Sequence, residues 1–391
     1  MMFVGTLVSA AGAIVFQVVG GRSLGAEGFA PVSVMWTLLF LGVTIFLLPV
    51  EQFVIRALVL SGHSRSPVGR LVASVIGGAA LLGAGFALVA ADRLLDGDLA
   101  YVPVAVGMFI GHGLLAIARG HFAGSRRFFA YGVLVSLDAL AKVTGAVIVA
   151  VAGLGPVAMS WALAVSPLVV VLLRPWRRAS RPPRVERQEG GATDRRFMIG
   201  FLISTAASQT VLAAGPLVVG ALEASAAAIS VFFVTTTLFR GPMSASYNLL
   251  ARILPTATTL AAAGDVRALD RWVRRLLGIG TVLALATGAV ATLVGPAVVE
   301  WLYGADFRPE PWLTGLAAAA VTVGIFGLVT TQVLVGRGAT GRMALVWLSA
   351  LGAAALAVIV SRGEPSLRVA IGFLTGEAVA FLGLSAAALR R

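Results

Sequence analysis

"RPWRRASRPPRVERQEGGATDRR", residues 174–196, is the most basic segment of a 391-residue chain in which apolar runs dominate everything else. On either side of it, runs of about 20 apolar residues recur, each long enough to cross a hydrocarbon core of about 30 Å as a helix. Counting outward gives six runs before it, near 3–21, 32–55, 70–91, 99–118, 128–152 and 155–173. Six follow, near 197–222, 226–250, 276–299, 312–335, 343–361 and 367–389. The expectation is an all-α polytopic membrane protein with twelve transmembrane helices. They fall into two six-helix lobes, 1–173 and 197–391, joined by a cytoplasmic basic linker at 174–196.

Composition agrees: 59% of residues are hydrophobic and 12% charged, against roughly 25% charged in a soluble domain. The net charge of +13 follows an alternating pattern along the chain. Most basic residues sit in the connections after the even-numbered runs, and the other connections hold only Arg22, Arg93, Arg308, Arg362 and Arg368. The positive-inside rule then gives an N-in, C-in topology. It also accounts for the basic charge without nucleic acid. The opening "MMFVGTLVSAAGAIVFQVVGGR" lacks the basic n-region of a signal peptide. It reads as the first span, with a short basic leader expected ahead of it.

The halves share faint features. "RSLGAEGFA" after the first run resembles "LVVGALEASA" after the seventh, and Pro49 and Pro242 fall at similar depths. Halves of six spans enter from the same side, so they would be parallel repeats related by a pseudo-two-fold along the membrane normal, a plan common among transporters.

Several chemistries are excluded or disfavoured. There is no cysteine, and the three histidines, His63, His112 and His121, are not spaced as a metal cluster. No Walker A loop occurs, and the sole lysine, Lys142, lies inside the fifth run. "DGD" at 96–98 has no nucleotide fold around it, and the outside connections are short. No cofactor and no enzymatic activity are expected.

Within the apolar runs the polar residues form stripes at helical spacing. In "FFVTTTLFRGPMSASYNLL" (232–250) the stripe is Thr236, Thr237, Arg240, Ser244, Tyr247 and Asn248, beside Gly241 and Pro242. The second run carries Ser33, Thr37, Thr44 and Glu51; the seventh Ser204, Thr205, Ser208 and Gln209; the first Thr6, Ser9 and Gln17. Two readings stand: a hydrated cavity between the halves, or hydroxyl groups bonding helix to helix. An arginine at this depth costs roughly 2.5–3.5 kcal/mol on insertion scales, which favours the cavity. A guanidinium suits phosphate, which it can hold bidentately. Arg22 and Arg56 extend a possible cationic route. Glu51 is either a partner of Arg240 or a protonatable coupling group. Asp138 and Lys142, at i and i+4, are expected to pair. His112 either packs helices closely beside Gly107 and Gly111 or relays protons. Glu377 is expected to be structural.

Four segments carry a family resemblance: "GRSLGAEGFAPVS" (21–33), "ARGHFAGSRRFFAYG" (118–132), "VVEWLYGADFRPEPWLTGLAA" (298–318) and "VLVGRGATGRMALVW" (333–347). In order and spacing they resemble the polysaccharide flippase branch of the multidrug/oligosaccharidyl-lipid/polysaccharide exporter superfamily. The resemblance implies a twelve-helix, MATE-like transporter working by alternating access. It implies a lipid-linked oligosaccharide as substrate, membrane lipids and polysaccharide-assembly membrane enzymes as partners, and a cationic cavity. The substrate-binding candidates are Arg240, Ser244, Tyr247, Asn248, Thr237, Glu51, Thr44, Arg22, Arg56, Gln17, Ser208 and Gln209. The alternative is a cation-coupled multidrug exporter of the same superfamily, which would need intramembrane acids to hold organic cations.

Overall fold

The computed structural model describes residues 2–61, 67–173, 192–241, 243, 266–336 and 339–389. The chain divides into two compact units, Met1–Glu189 with Ser225–Ser230, and Gly190–Ala224 with Val231–Arg391. Among the described residues the regular structure is helical. Among the described residues ten helices are long and apolar enough to cross a membrane, eleven spans if the bent pair Leu202–Ala213 and Gly215–Ala221 is counted as one. The chain is a multi-pass membrane protein. The expected count of twelve is not reached among the described residues, because the apolar helix Ala226–Phe239 has only 14 residues and most of its continuation lies outside them.

The first unit contains α1 (Met2–Gly28), α2 (Ala30–Gly42), α3 (Leu48–Ser61), α4 (Pro67–Val89), α5 (Ala91–Leu94), α6 (Tyr101–Gly124), α7 (Phe128–Val151), α8 (Pro156–Val165) and α9 (Val170–Leu173). α6 is its axis: 61% of its spanning window is buried, against 28% for α4 and α7. It packs on α3, α4 and α8, while α1 lies along α7. Glycines set the spacing. A Cβ added at Gly120 of α6 would lie 2.8 Å from the Glu51 carbonyl oxygen and 2.8 Å from Val54 Cβ, so α3 and α6 are nearly in backbone contact. Gly111 does the same against the Ala164 carbonyl on α8, at 3.0 Å. This is the close approach expected around His112, whose Nδ1–H donates to the Met108 carbonyl at 2.9 Å.

Between α2 and α3 the helix widens into one π turn, Val43–Leu47. The cause is Pro49, which cannot donate to the carbonyl four residues back and crowds it with its ring. The widened turn lets the Leu48 amide reach back five residues to Val43. "DGD" is a turn before α6: Asp96 and Gly97 have φ of 54° and 71°, and Asp98 Oδ1 accepts from the Ala100 amide at 2.7 Å.

The second unit contains α10 (Ala192–Ala213), α11 (Gly215–Ala221), most of α12 (Ala226–Phe239), α13 (Val266–Tyr303), α14 (Pro311–Gly336), α15 (Thr340–Val360) and α16 (Pro365–Leu389). α14 is packed between α13 and α16, α15 lies on α16, and α10 lies on α15. α13 is 38 residues long. It meets α14 where Gly295 abuts Thr314 and Gly288 abuts Gly315, and Thr314 Oγ1 donates to the Ala291 carbonyl at 2.7 Å. After α13 the segment "YGADF" makes a compact corner: Gly304 has φ of 110°, and the rings of Tyr303 and Phe307, both 1% exposed, lie 5.8 Å apart. The carbonyl of Val358, near the open end of α15, accepts from Arg368 Nε at 3.0 Å.

Substituting Gly120→Val forces α3 and α6 apart. It is expected to cost about 1–3 kcal/mol, read as a fall in thermal unfolding temperature of the purified protein. Gly77→Ala on α4 places its Cβ in open space and is expected to leave stability unchanged or slightly raised.

Candidate functional site

Arg240 follows α12 and stays within its own unit for the contacts that define it. The seventh run is not one straight helix: α10 and α11 meet at a bend of 61°. The bend is written in "LAAGPLV" (212–218). Pro216 has no amide hydrogen, so the Leu212 carbonyl loses the donor that a continuous helix would supply. Arg240 Nη1 donates to that carbonyl at 3.2 Å, and Nη2 donates to Thr237 Oγ1 at 2.9 Å. A guanidinium thus replaces a missing amide at a break inside a span, which offsets part of its insertion cost.

The other candidates fall as follows. Ser208 and Gln209 lie on α10, one turn before Leu212; the Ser208 hydroxyl donates to the Thr205 carbonyl at 2.9 Å. Arg240 and Thr237 therefore meet at the α10–α11 break, and Ser208 and Gln209 lie on α10 about one turn before it. Ser244, Tyr247 and Asn248, with Pro242, lie outside the described residues. In the first unit Gln17 is fully buried on α1, and Arg22 is exposed. Thr44 sits in the π turn with its hydroxyl on the Phe40 carbonyl at 2.8 Å. Arg56 belongs to α3, and its side chain lies outside the described residues. Ser33 and Thr37 are 0% and 2% exposed and bond back to the carbonyls of Phe29 and Ser33. These two hydroxyls satisfy themselves within their helix rather than line a wet surface.

Glu51 has partners that neither sequence reading foresaw. Its Oε2 lies 2.9 Å from Arg119 Nη2 on α6. The Tyr131 hydroxyl, from α7, donates to Oε1 at 3.2 Å and accepts from Arg119 Nε at 3.2 Å. Three helices are tied through one carboxylate, with the Arg119 guanidinium 5.6 Å from the Tyr131 ring centre. Arg119 reads in sequence as a loop cation just past the fourth run; the structure places it inside α6. Asp138 and Lys142 form the expected pair at 2.7 Å, and the Ser166 hydroxyl adds a bond to Asp138 Oδ1 at 2.8 Å. Among the described residues no group of three or more His, Asp or Glu is placed to hold a metal.

No protein-family model and no curated protein matches the chain. Solved structures do. An inward-facing multidrug resistance MATE family transporter of the MOP superfamily aligns over 99% of this chain and 94% of its own, at 16% identity and a TM-score of 0.63. The lipid II flippase MurJ, in an inward closed conformation, aligns over 98% and 86%, at 11% identity and a TM-score of 0.62. A MATE structure in a bent conformation aligns over 98% and 92%, at 13% identity and a TM-score of 0.59. At these identities the likeness establishes a shared fold. The solved neighbours are transporters rather than enzymes.

The Glu51–Arg119 pair makes a direct test of the first unit. Removing one partner of a buried pair costs about 3–5 kcal/mol, and less is expected here because the Arg119 side chain is 26% exposed. Glu51→Gln and Arg119→Leu are each expected to lower the unfolding temperature. The double variant is expected to recover part of the loss, read as a coupling energy in a double-mutant cycle.

Proposed function

We propose that the chain is a transporter flipping a polyprenyl-diphosphate-linked saccharide from the inner to the outer leaflet of a bacterial-type plasma membrane. It works by alternating access and serves cell-surface polysaccharide assembly. The observation that carries this reading is the state of the intramembrane acids. Glu51 is taken by Arg119 and Tyr131, and Asp138 by Lys142 and Ser166. Glu377 is 1% exposed. None of these three is offered to an organic cation, which an exporter of cationic drugs would hold through a carboxylate.

An anionic head group asks for the opposite charge. Arg240 lies at a helix break, where it donates to two neutral acceptors, the Leu212 carbonyl and Thr237 Oγ1. A guanidinium carries five N–H donors, so its hold on the break is compatible with a phosphate contact. In this reading Arg240 receives the diphosphate, with Arg22 and Arg56 as further steps. Thr237, Ser208 and Gln209 offer hydroxyls and an amide to the saccharide. Glu51 shapes the route by holding Arg119. The lipid tail remains in the bilayer, and assembly enzymes of the same membrane supply and take the glycan. The fold is equally that of MATE multidrug transporters, so a cation-coupled exporter is the second reading.

The test is binding of a polyprenyl-diphosphate saccharide and of a quaternary ammonium to the purified protein, wild type beside Arg240→Ala and Arg240→Lys. The expected result is that the diphosphate lipid binds and the ammonium does not. Arg240→Ala should weaken binding about 10- to 100-fold, the worth of a charged hydrogen bond. Arg240→Lys should fall between, keeping the charge but losing the fork. Binding of the ammonium instead would move the exporter reading ahead.

A further inference from the structure

Glu377 lies at the midpoint of α16, twelve residues and about 18 Å from either end. The residues around it at helical spacing, Phe373, Ala380, Phe381 and Leu384, are buried on the same face of the helix. On the facing helix, α14, a Cβ added at Gly324 would lie 2.9 Å from Glu377 Oε2 and 3.2 Å from Cδ, so the glycine clears the space the carboxyl group fills. One turn to either side, aromatic rings close the slot. Phe373 packs with Ala320 and Val321, and Phe381 lies 6.3 Å from Phe326, centre to centre. Among the described residues neither carboxyl oxygen has a hydrogen-bond partner.

Among the described residues, the helices packed against α16 bring no counter-charge to this level. α14 and α11 contain no charged residue. The charged and titratable groups of α13 are Arg267, Asp270, Arg271, Arg274, Arg275, Glu300 and Tyr303, all toward its two ends. Those of α15 and α10 are Arg342, and Asp194, Arg195 and Arg196, in their first turns. Arg240 binds Leu212 and Thr237, and Arg368, on α16 itself, binds the Val358 carbonyl. An ionised carboxylate at this depth would stand without a donor or a cation among the described residues, which is costly. A metal ion would need several more oxygens than one carboxyl group provides. A proton needs only one.

We propose that Glu377 is a proton-binding site enclosed between α14 and α16, loaded in the packed state and open to water only when these helices part. Exchange moves one proton between a carboxyl oxygen and water and breaks no other bond. Resting on the transporter reading, the second unit then carries the proton that couples transport to a gradient.

The experiment has two arms, both on the full chain in liposomes. The first is infrared spectroscopy without substrate. Wild type is expected to show the C=O stretch of a carboxylic acid that accepts no hydrogen bond, shifting slowly in deuterium oxide. Glu377→Gln should lack this band, and Glu377→Asp should keep one. Its absence from wild type at neutral pH, or its immediate shift in deuterium oxide, overturns the enclosed site. The second arm is flipping of the diphosphate lipid under an imposed pH gradient. Wild type should follow the gradient, and Glu377→Gln should flip without following it. Gradient dependence that survives Glu377→Gln overturns the coupling role. If wild type flips nothing, the flippase reading fails, and the infrared arm still decides the site.

Discussion

Inside a hydrocarbon core a carbonyl oxygen has no water to turn to, so every amide that a proline removes must be replaced. Much of what is irregular in this chain is a local answer to that constraint. Pro49 is answered by backbone alone, as the helix widens and Leu48 reaches back to Val43. Pro216 is answered by a side chain from another helix, as Arg240 takes the Leu212 carbonyl and fixes α12 against the α10–α11 bend. The open end of α15 is answered by Arg368. An arginine deep in a span is thus partly a backbone component. Replacing it removes a donor from a break as well as a charge from the protein, which is why the lysine variant matters beside the alanine one.

The buried ions follow the same logic of completion. Glu51 is shared by an arginine and a phenol from two further helices, and Asp138 by the chain's sole lysine and a serine. Such pairs are weak evidence for stability, because desolvation consumes much of the attraction. Their clearer effect is to fix which helices sit side by side, since a slip of one turn would strand a charge. They also remove from circulation the acids that a cationic ligand would require. Glu377 stands apart because Gly324 and two phenylalanines enclose it where a partner would otherwise be.

Local spacing was legible in the sequence and tertiary pairing was not. Asp138 and Lys142 could be matched because four residues of helix bring them together regardless of the fold. Glu51 and Tyr131 are 80 positions apart, and no periodicity connects them; Arg119 looked like one more loop cation at the end of a run. The break at 214–216 was also hidden, although Pro216 was in plain view, because hydropathy counts apolar residues and is blind to a bend between them. The hydroxyl stripe of the second run was read by its spacing, but spacing cannot say that Ser33 and Thr37 bond back into their own helix. The "YGADF" corner is visible as a pattern, whereas its reason, Gly304 at φ of 110° turning two aromatic rings inward, lies in the backbone geometry.

α13 is longer than a bilayer needs. Its 38 residues extend about 57 Å as a helix, against a hydrocarbon core of about 30 Å. Its first turns carry Arg271, Arg274 and Arg275, which lipid phosphates would hold at the interface. A helix so anchored at one end responds to a thinner or thicker bilayer by tilting. Gly288 and Gly295 lock it onto α14, so the tilt passes to the helix whose Gly324 faces Glu377. The elastic state of the surrounding lipid thereby bears mechanically on the most enclosed carboxyl group among the described residues of the second unit.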